Sequence, residues 1–203
     1  MKTVLGQRTR HLTVVLEDIY QPHNASAVLR SCDCFGVQDV HIIENLNTYE
    51  INPDVVMGAS KWLNLYKYNN ESFNTPSCFE MLKEKGYKII ATSPHKHDCL
   101  PEELPLDQKT ALVFGNEHKG LTHEARQMAD GFVRIPMTGF TESLNISVSV
   151  AIFLYELTPR IRKNVKNWQL SEEEQTDILF EWITKSIKNA DLLVSMISKQ
   201  LRI

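Results

Sequence analysis

The chain has 203 residues, a hydrophobic fraction of 42 % and a charged fraction of 23 %, the composition of an ordinary soluble globular protein rather than a disordered or disulfide-dense one. No apolar run approaches the roughly 20 residues that a membrane-spanning helix needs, and residues 1–8 lack the apolar core of a secretory signal, so a cytoplasmic protein without a membrane anchor is expected. Twenty-two basic against 25 acidic residues leave a net charge of −3, which, as an average, argues against a nucleic-acid partner.

In chain order, the apolar runs 12–16, 40–43, 88–92, 111–114 and 132–135 are mostly continuous rather than alternating. That is the pattern of strands covered on both faces of a parallel sheet. A first helix is expected after Asn24 as N-cap. It carries Ala25, Val28, Leu29, Cys32 and Phe35 on one arc and Ser26, Arg30 and Asp33 on the opposite one, with Gly36 as its stop. Thr75 as cap and Pro76 at the first helical position open a second helix that ends at Gly86. Two more are expected at about 122–129 and 143–162. Strands alternating with helices mean an α/β fold with a largely parallel sheet.

After Lys166 the strand signals stop. Ser171 to Glu174 reads as a capping box. An amphipathic helix with Ile178, Leu179, Trp182, Ile183 and Ile187 should follow, and Asp191 opens a last helix with Leu192, Leu193, Met196, Ile197 and Leu201. The expected organisation is a short basic N-terminal segment (1–11), an α/β domain (12–160) and a C-terminal helical extension (161–203). Cys32, Cys34, Cys78 and Cys99 form no Cys-x-x-Cys pair, and His95 and His97 have no nearby set of carboxylates. Metal sites want paired ligands at regular spacing, so reduced thiols and no metal are expected.

Ligands of open α/β sheets bind at the carboxyl ends of the strands, which makes the polar segments there informative. Residues 20–26 contain no glycine, where a dinucleotide-binding fold would carry Gly-x-Gly-x-x-Gly. Residues 115–122 read Gly-Asn-Glu-His-Lys-Gly-Leu-Thr. They approach a phosphate-binding P-loop, but Leu121 stands where the lysine that reaches the phosphates belongs, which argues against NTP hydrolysis. Gly115 and Gly120 point to a turn where backbone approaches a ligand. Glu117 between them is either a solvated loop acid or a site carboxylate. In residues 135–150, Asn145 and Ser149 fall four apart on one face, and the Ser/Asn cluster is either capping or a hydrogen-bonding site; capping alone explains Ser143, at the start of the fourth helix, but not Asn145. Arg30 faces away from its helix's apolar stripe, as a solvated surface arginine or a functional one.

Three segments taken together sharpen this. Residues 24–33 (Asn-Ala-Ser-Ala-Val-Leu-Arg-Ser-Cys-Asp), residues 114–121 (Phe-Gly-Asn-Glu-His-Lys-Gly-Leu), and Ile135-Pro136-Met137 followed by Ser143-Leu144-Asn145-Ile146-Ser147-Val148-Ser149 resemble, in order and spacing, the three motifs of the SpoU branch of the SPOUT RNA methyltransferases. The resemblance spans roughly residues 10–160. The helical extension, and the run 12–17 leading into Pro22, His23 and Asn24, make the chain most similar to that branch's tRNA guanosine-18 2′-O-methyltransferases. A short N-terminus and a compact tail are the departures.

The resemblance implies an α/β knot, a deep trefoil at an S-adenosylmethionine site, a homodimer and tRNA as substrate. Another tRNA or rRNA ribose is the alternative target, and a non-catalytic RNA-binding knot protein is the alternative of a different class. It also implies cofactor binding through the backbone at Thr92, Gly115, Ile135 and Leu144, with Asn116, Gly120, Met137 and Ser143. Arg30 would be the central catalytic residue. A guanidinium with a pKa above 12 is a poor base, so its expected part is to grip the adjacent phosphate and stabilise charge developing on the 2′-oxygen. Asn24 would hold Arg30 or the ribose in place, and Glu117 and Asn145 would orient this cluster, with Ser143 and Ser147 in support.

The net charge then acquires a distribution. Lys2, Arg8 and Arg10 lie in an acid-free stretch, residues 1–16, and Arg160, Arg162, Lys163 and Lys166 in another, residues 158–170. These are the expected RNA-binding residues, a defined basic strip on an otherwise acidic protein.

Overall fold

The computed structural model of the chain describes residues 1–93 and 99–190. Among them are the strands β1 (Leu12–Glu17), β2 (Asp39–Ile43), β3 (Asn64–Tyr68), β4 (Tyr87–Thr92), β5 (Lys109–Phe114) and β6 (Gly131–Val133). The helices are α1 (Lys2–Leu5), α2 (Pro22–Phe35), α3 (Pro53–Val56), α4 (Thr75–Glu84), α5 (His123–Met128), α6 (Ile146–Asn164) and α7 (Glu172–Ser186), with a 3-10 turn at Ala59–Trp62. Every strand pairing is parallel, and the order across the sheet is β3-β2-β1-β5-β4-β6.

Two cores explain the continuous apolar runs. Leu12, Val14 and Leu16 of β1 enter one core with Val28 and Leu29 of α2 and Phe153 and Leu157 of α6. Val15 enters the other with Phe79 and Leu82 of α4 and Ala125 of α5. Successive side chains point to opposite faces, and with helices on both faces neither can be polar. β3 escapes a reading based on such runs. It is an edge strand paired with β2, and its Asn-Leu-Tyr-Lys-Tyr sequence is mostly half-buried. Its Tyr66 and Tyr68 stack on the buried His41, with ring centroids 4.8 and 5.9 Å away.

The helix ends differ from expectation in ways that bear on the site. Gln21 precedes α2 and Pro22 opens it, so Asn24 lies within the first turn rather than at the cap, and its side chain is left for other partners. Ser26, expected on the outer arc, is buried. It donates to the Pro22 carbonyl (2.7 Å) and accepts from the Asn52 N–H (2.7 Å) because the chain entering α3 covers that face. Gly36 ends α2 at φ +80°, and a Cβ there would stand 2.5 Å from the Gln7 carbonyl oxygen. Asn74 flanks α4 in place of Thr75, whose hydroxyl donates instead to Glu17 (2.6 Å). Asn145, not Ser143, caps α6, its Oδ1 accepting from the Ser147 N–H at 2.9 Å.

The capping box of Ser171 and Glu174 forms. Ile178 and Trp182 of α7 pack with Leu5 and Leu170, and the Trp182 indole N–H donates to the Trp62 carbonyl at 3.1 Å. The two ends of the described chain therefore meet. Ile183 and Ile187, expected on the apolar stripe, are exposed. The helix expected from Asp191 lies outside the described residues. No helix among those described is long and apolar enough to cross a membrane.

Candidate active site

The loop between β5 and α5 is shaped by its glycines. Asn116 and Gly120 exchange both backbone hydrogen bonds, at 3.0 and 2.8 Å. A Cβ on Gly115 would stand 2.3 Å from the backbone of Gly120 and Leu121, closer than any side chain can approach, so the turn requires glycine there. The loop is held from behind by Glu17 at the carboxyl end of β1. That fully buried carboxylate accepts from the Thr122 N–H (2.9 Å), the Thr122 hydroxyl (2.7 Å) and the Thr75 hydroxyl (2.6 Å). The Asn116 amide adds a bond to the Asp18 carbonyl at 2.7 Å.

Glu117 projects from this loop toward α2. Its carboxylate accepts from Asn24 Nδ2 (2.8 Å) and from the N–H groups of Tyr20 (2.9 Å) and Gln21 (3.3 Å). Burial by itself would raise its pKa. The hydrogen bonds from Asn24, Tyr20 and Gln21 outweigh that and hold it below the usual glutamate value. Asn145 Nδ2 in turn donates to Asn24 Oδ1 at 3.0 Å. The orientation of both amides follows from the ends of the chain. Ionised Glu117 can only accept, so Asn24 must turn its nitrogen to it and its oxygen to Asn145. The Ser147 N–H can only donate, so Asn145 must give it an oxygen. Three residues 93 and 121 positions apart in sequence thus form one directed polar row.

This row borders a pocket of about 620 Å³ at the carboxyl ends of β4 and β5. Thr92, Gly115, Asn116, Gly120, Ile135, Met137, Ser143 and Leu144 all line it, together with Asn24, Glu117 and Asn145. Its size falls within the roughly 300–1,000 Å³ of small-molecule sites. The chain that leaves β6 returns over the strand ends through residues 134–145 to enter α6, which packs on α2. The Thr92 hydroxyl itself donates to the Val113 carbonyl (2.9 Å). Lys119, Arg126, Arg134 and Phe153 also line the wall. Nothing in the local sequence around Arg126, Arg134 or Phe153 sets them apart, since the fold and not a motif brings them to the pocket.

Arg30 does not line this pocket. It is exposed on α2 and, among the described residues, makes no hydrogen bond or ion pair. The expected basic strip is also divided. Arg8 is 1 % exposed and pairs with Asp33. Arg10 pairs with Asp39 (3.0 Å) and Glu174 (2.8 Å). Arg160 donates to the carbonyls of Pro101 and Leu104, and Arg162 to that of Phe35. Arg8 is thus enclosed, whereas Arg10, Arg160 and Arg162 each give some of their donors to the fold and keep part of the side chain in solvent. Lys2, Lys163 and Lys166 are exposed.

Among the described residues no group of three His, Cys, Asp or Glu could hold a metal ion. His95 and His97 lie outside them. The four cysteines are free, and burial pushes the Cys32 and Cys78 thiols well above their ordinary pKa.

Residues 11–155 match the SpoU rRNA methylase family. The chain is 42 % identical over 198 residues to a tRNA (guanosine(18)-2′-O)-methyltransferase of Borreliella burgdorferi, covering 98 % of this chain and 89 % of the relative. It is 33 % identical to the protein of the same name from Thermus thermophilus, covering 91 % and 94 %. Its fold is similar to that of the crystallised Aquifex aeolicus TrmH/SpoU tRNA modifying enzyme, with a TM-score of 0.80, 31 % identity and coverage of 92 % and 94 %.

Proposed function

Since the chain belongs to the SpoU methylase family, we propose that it transfers a methyl group from S-adenosylmethionine to a ribose 2′-hydroxyl of tRNA, at the guanosine 18 named for its relatives. The observation that carries this reading is the convergence of Asn24, residues 115–121 and residues 135–145 on one pocket bordered by the row Glu117–Asn24–Asn145.

The pocket suits such a donor. Phe114, Ile135, Met137 and Leu144 offer apolar surface for an adenine, and Lys119, Arg126 and Arg134 offer cations for a carboxylate. S-adenosylmethionine, when bound, supplies a methyl group already activated on a sulfonium, so the protein's tasks are to position the acceptor and steady the charge that forms on it. Glu117, kept ionised, fixes Asn24. Asn24, buried with both amide hydrogens taken by Glu117 and Gln21, holds Asn145, whose exposed amide faces the ribose. Arg30 grips the adjoining phosphate with its planar fork and stabilises the developing 2′-oxyanion.

Arg30 reaches a pocket through a second copy of the chain. Beside it α2 and α6 form a shallow apolar groove lined by Ala27, Phe35, Val148, Ile152 and Tyr155, with Tyr155 70 % exposed. Exposed apolar surface of this kind marks an interaction site. Val148 follows the pocket residue Asn145 by three positions on the same helix start, so a copy seated in the groove sets the Arg30 of one protomer beside the pocket of the other. In this reading the return of residues 134–145 over the strand ends is the course of a trefoil knot, residues 12–160 carry the chemistry, and residues 1–11 and 161–203 flank it. Lys2, Lys163 and Lys166 contact phosphates, and the dimer acts on tRNA in the cytoplasm.

Incubation with labelled S-adenosylmethionine and whole tRNA, followed by mapping of the modified nucleotide, tests the reading. 2′-O-methylguanosine at position 18 is expected. A methyl group on another ribose would overturn the target, and no transfer to any RNA would overturn the activity.

A further inference from the structure

We propose that Tyr20 and His118 form a stacking platform for a nucleobase of the RNA substrate at the lip of the pocket. The proposal rests on the reading of the chain as an RNA 2′-O-methyltransferase. The two rings come from different loops, one after β1 and one after β5, yet stand edge to face with centroids 5.7 Å apart and planes at 65°. Tyr20 is 58 % exposed. His118 is exposed and lines the pocket. Neither belongs to the buried clusters of the fold, so core packing does not account for them.

Their backbones are nevertheless pinned. Glu117 accepts from the Tyr20 N–H at 2.9 Å, and Asn116 Oδ1 accepts from the His118 N–H at 2.9 Å. The residues that shape the pocket thus also fix the backbone from which both rings project, which limits the ordering needed on binding.

The chemistry of the acceptor calls for such a surface. A ribose whose 2′-hydroxyl reaches Asn145 carries a base that must leave the stack of its own strand, which costs stacking energy. Glu117, Asn24 and Lys119 nearby offer hydrogen bonds and charge, but no flat apolar face. An edge-to-face pair keeps an outer ring face open to a base, and base–aromatic stacking tolerates every base because each has a π-face. The pair therefore supplies affinity for an extruded nucleotide of loop or single-stranded RNA without reading its identity.

The test uses the full-length protein and whole tRNA. Tyr20→Ala should raise KM for tRNA about tenfold, the weight of one stacked base, while kcat at saturating tRNA and the affinity for S-adenosylmethionine stay within about twofold. Tyr20→Phe, which keeps the ring, should restore KM, and His118→Ala should raise it less than Tyr20→Ala does. A tRNA with 2-aminopurine at the target position should be dimmer in complex with the parent protein or Tyr20→Phe than in complex with Tyr20→Ala. Unchanged KM and quenching in Tyr20→Ala would overturn the proposal, as would a Tyr20→Phe as impaired as the alanine variant. Loss of S-adenosylmethionine binding in Tyr20→Ala would also overturn it, by showing a collapsed loop. A parent protein that quenches the probe but methylates no ribose would overturn the assigned reaction and leave the stacking standing.

Discussion

Two arginines attached to the same helix have opposite fates. Arg8 lies against the carboxyl end of α2. It is 1 % exposed, pairs with Asp33, donates to the Val37 carbonyl at 3.3 Å, and stands 5.2 Å from the centre of the Trp182 ring. Arg30 sits one turn before Asp33 on that helix, in solvent, without a partner among the described residues. A guanidinium withdrawn from water must have its charge answered inside the fold, and Arg8 uses its charge to tie the N-terminal segment and α7 to α2. An exposed guanidinium keeps its planar fork for a phosphate. Basic character alone does not separate a brace from a catalytic group; the state of the donors does.

The largest test of that contrast is Arg30→Ala. It should lower methyl transfer by about 10²–10³-fold with the melting temperature and S-adenosylmethionine affinity unchanged. Arg30→Lys should also be poor, because a lysine cannot make the planar fork. Near-parental turnover of either variant would erase the distinction. Arg8→Met should do the reverse. Loss of the ion pair with Asp33, a carboxylate on α2 that keeps contact with solvent, should cost about 1.5 kcal/mol in urea unfolding, while kcat at a temperature where the variant stays folded remains near the parental value.

Glu117→Gln gives a smaller effect, about tenfold in kcat, the weight of one hydrogen bond to a charged group. A glutamine amide facing the N–H groups of Tyr20 and Gln21 would break the polar row. The pH dependence has a definite sign. The folded carboxylate has a depressed pKa, so its stabilising bonds are complete above the unfolded value and fade as pH falls through the folded one. Activity should therefore hold through the ordinary glutamate range and decline only below it, and Glu117→Gln should lack that acid limb. Smallest are the exposed lysines. Alanine at Lys2, Lys163 or Lys166 should each flatten the slope of log affinity for tRNA against log salt by up to about 0.9, with kcat unchanged. Arg8→Met should leave the slope alone, and a flat response to the triple lysine variant would show that the strip does not meet RNA.

Much of the fold was legible because its signals are local. Continuous apolar runs marked the buried strands, Gly36 and the capping box of Ser171 and Glu174 marked helix ends, and Gly115 with Gly120 marked the tight loop. β3 was not legible, since an edge strand need not be apolar on both faces. The caps of α2, α4 and α6 were each misplaced by one to three residues for a common reason. Asn24 and Thr75 have polar groups that look like caps but are used across the fold, on Glu117 and Glu17, while Asn145 caps α6 and bonds Asn24 at once.

The amino-acid sequence by itself determined the alternation of strands and helices, the three polar segments at strand ends and the residues within them, because each depends on neighbours within a turn or a strand. The tertiary structure alone decided which of those residues face each other. Asn24, Glu117 and Asn145 form a directed row only because β1 and β5 are adjacent and residues 134–145 return over their ends. It likewise decided that Arg8 is enclosed and Arg30 is not, since burial depends on what packs against a side chain, here α7 and the loop after α2, over distances in sequence that no local pattern spans.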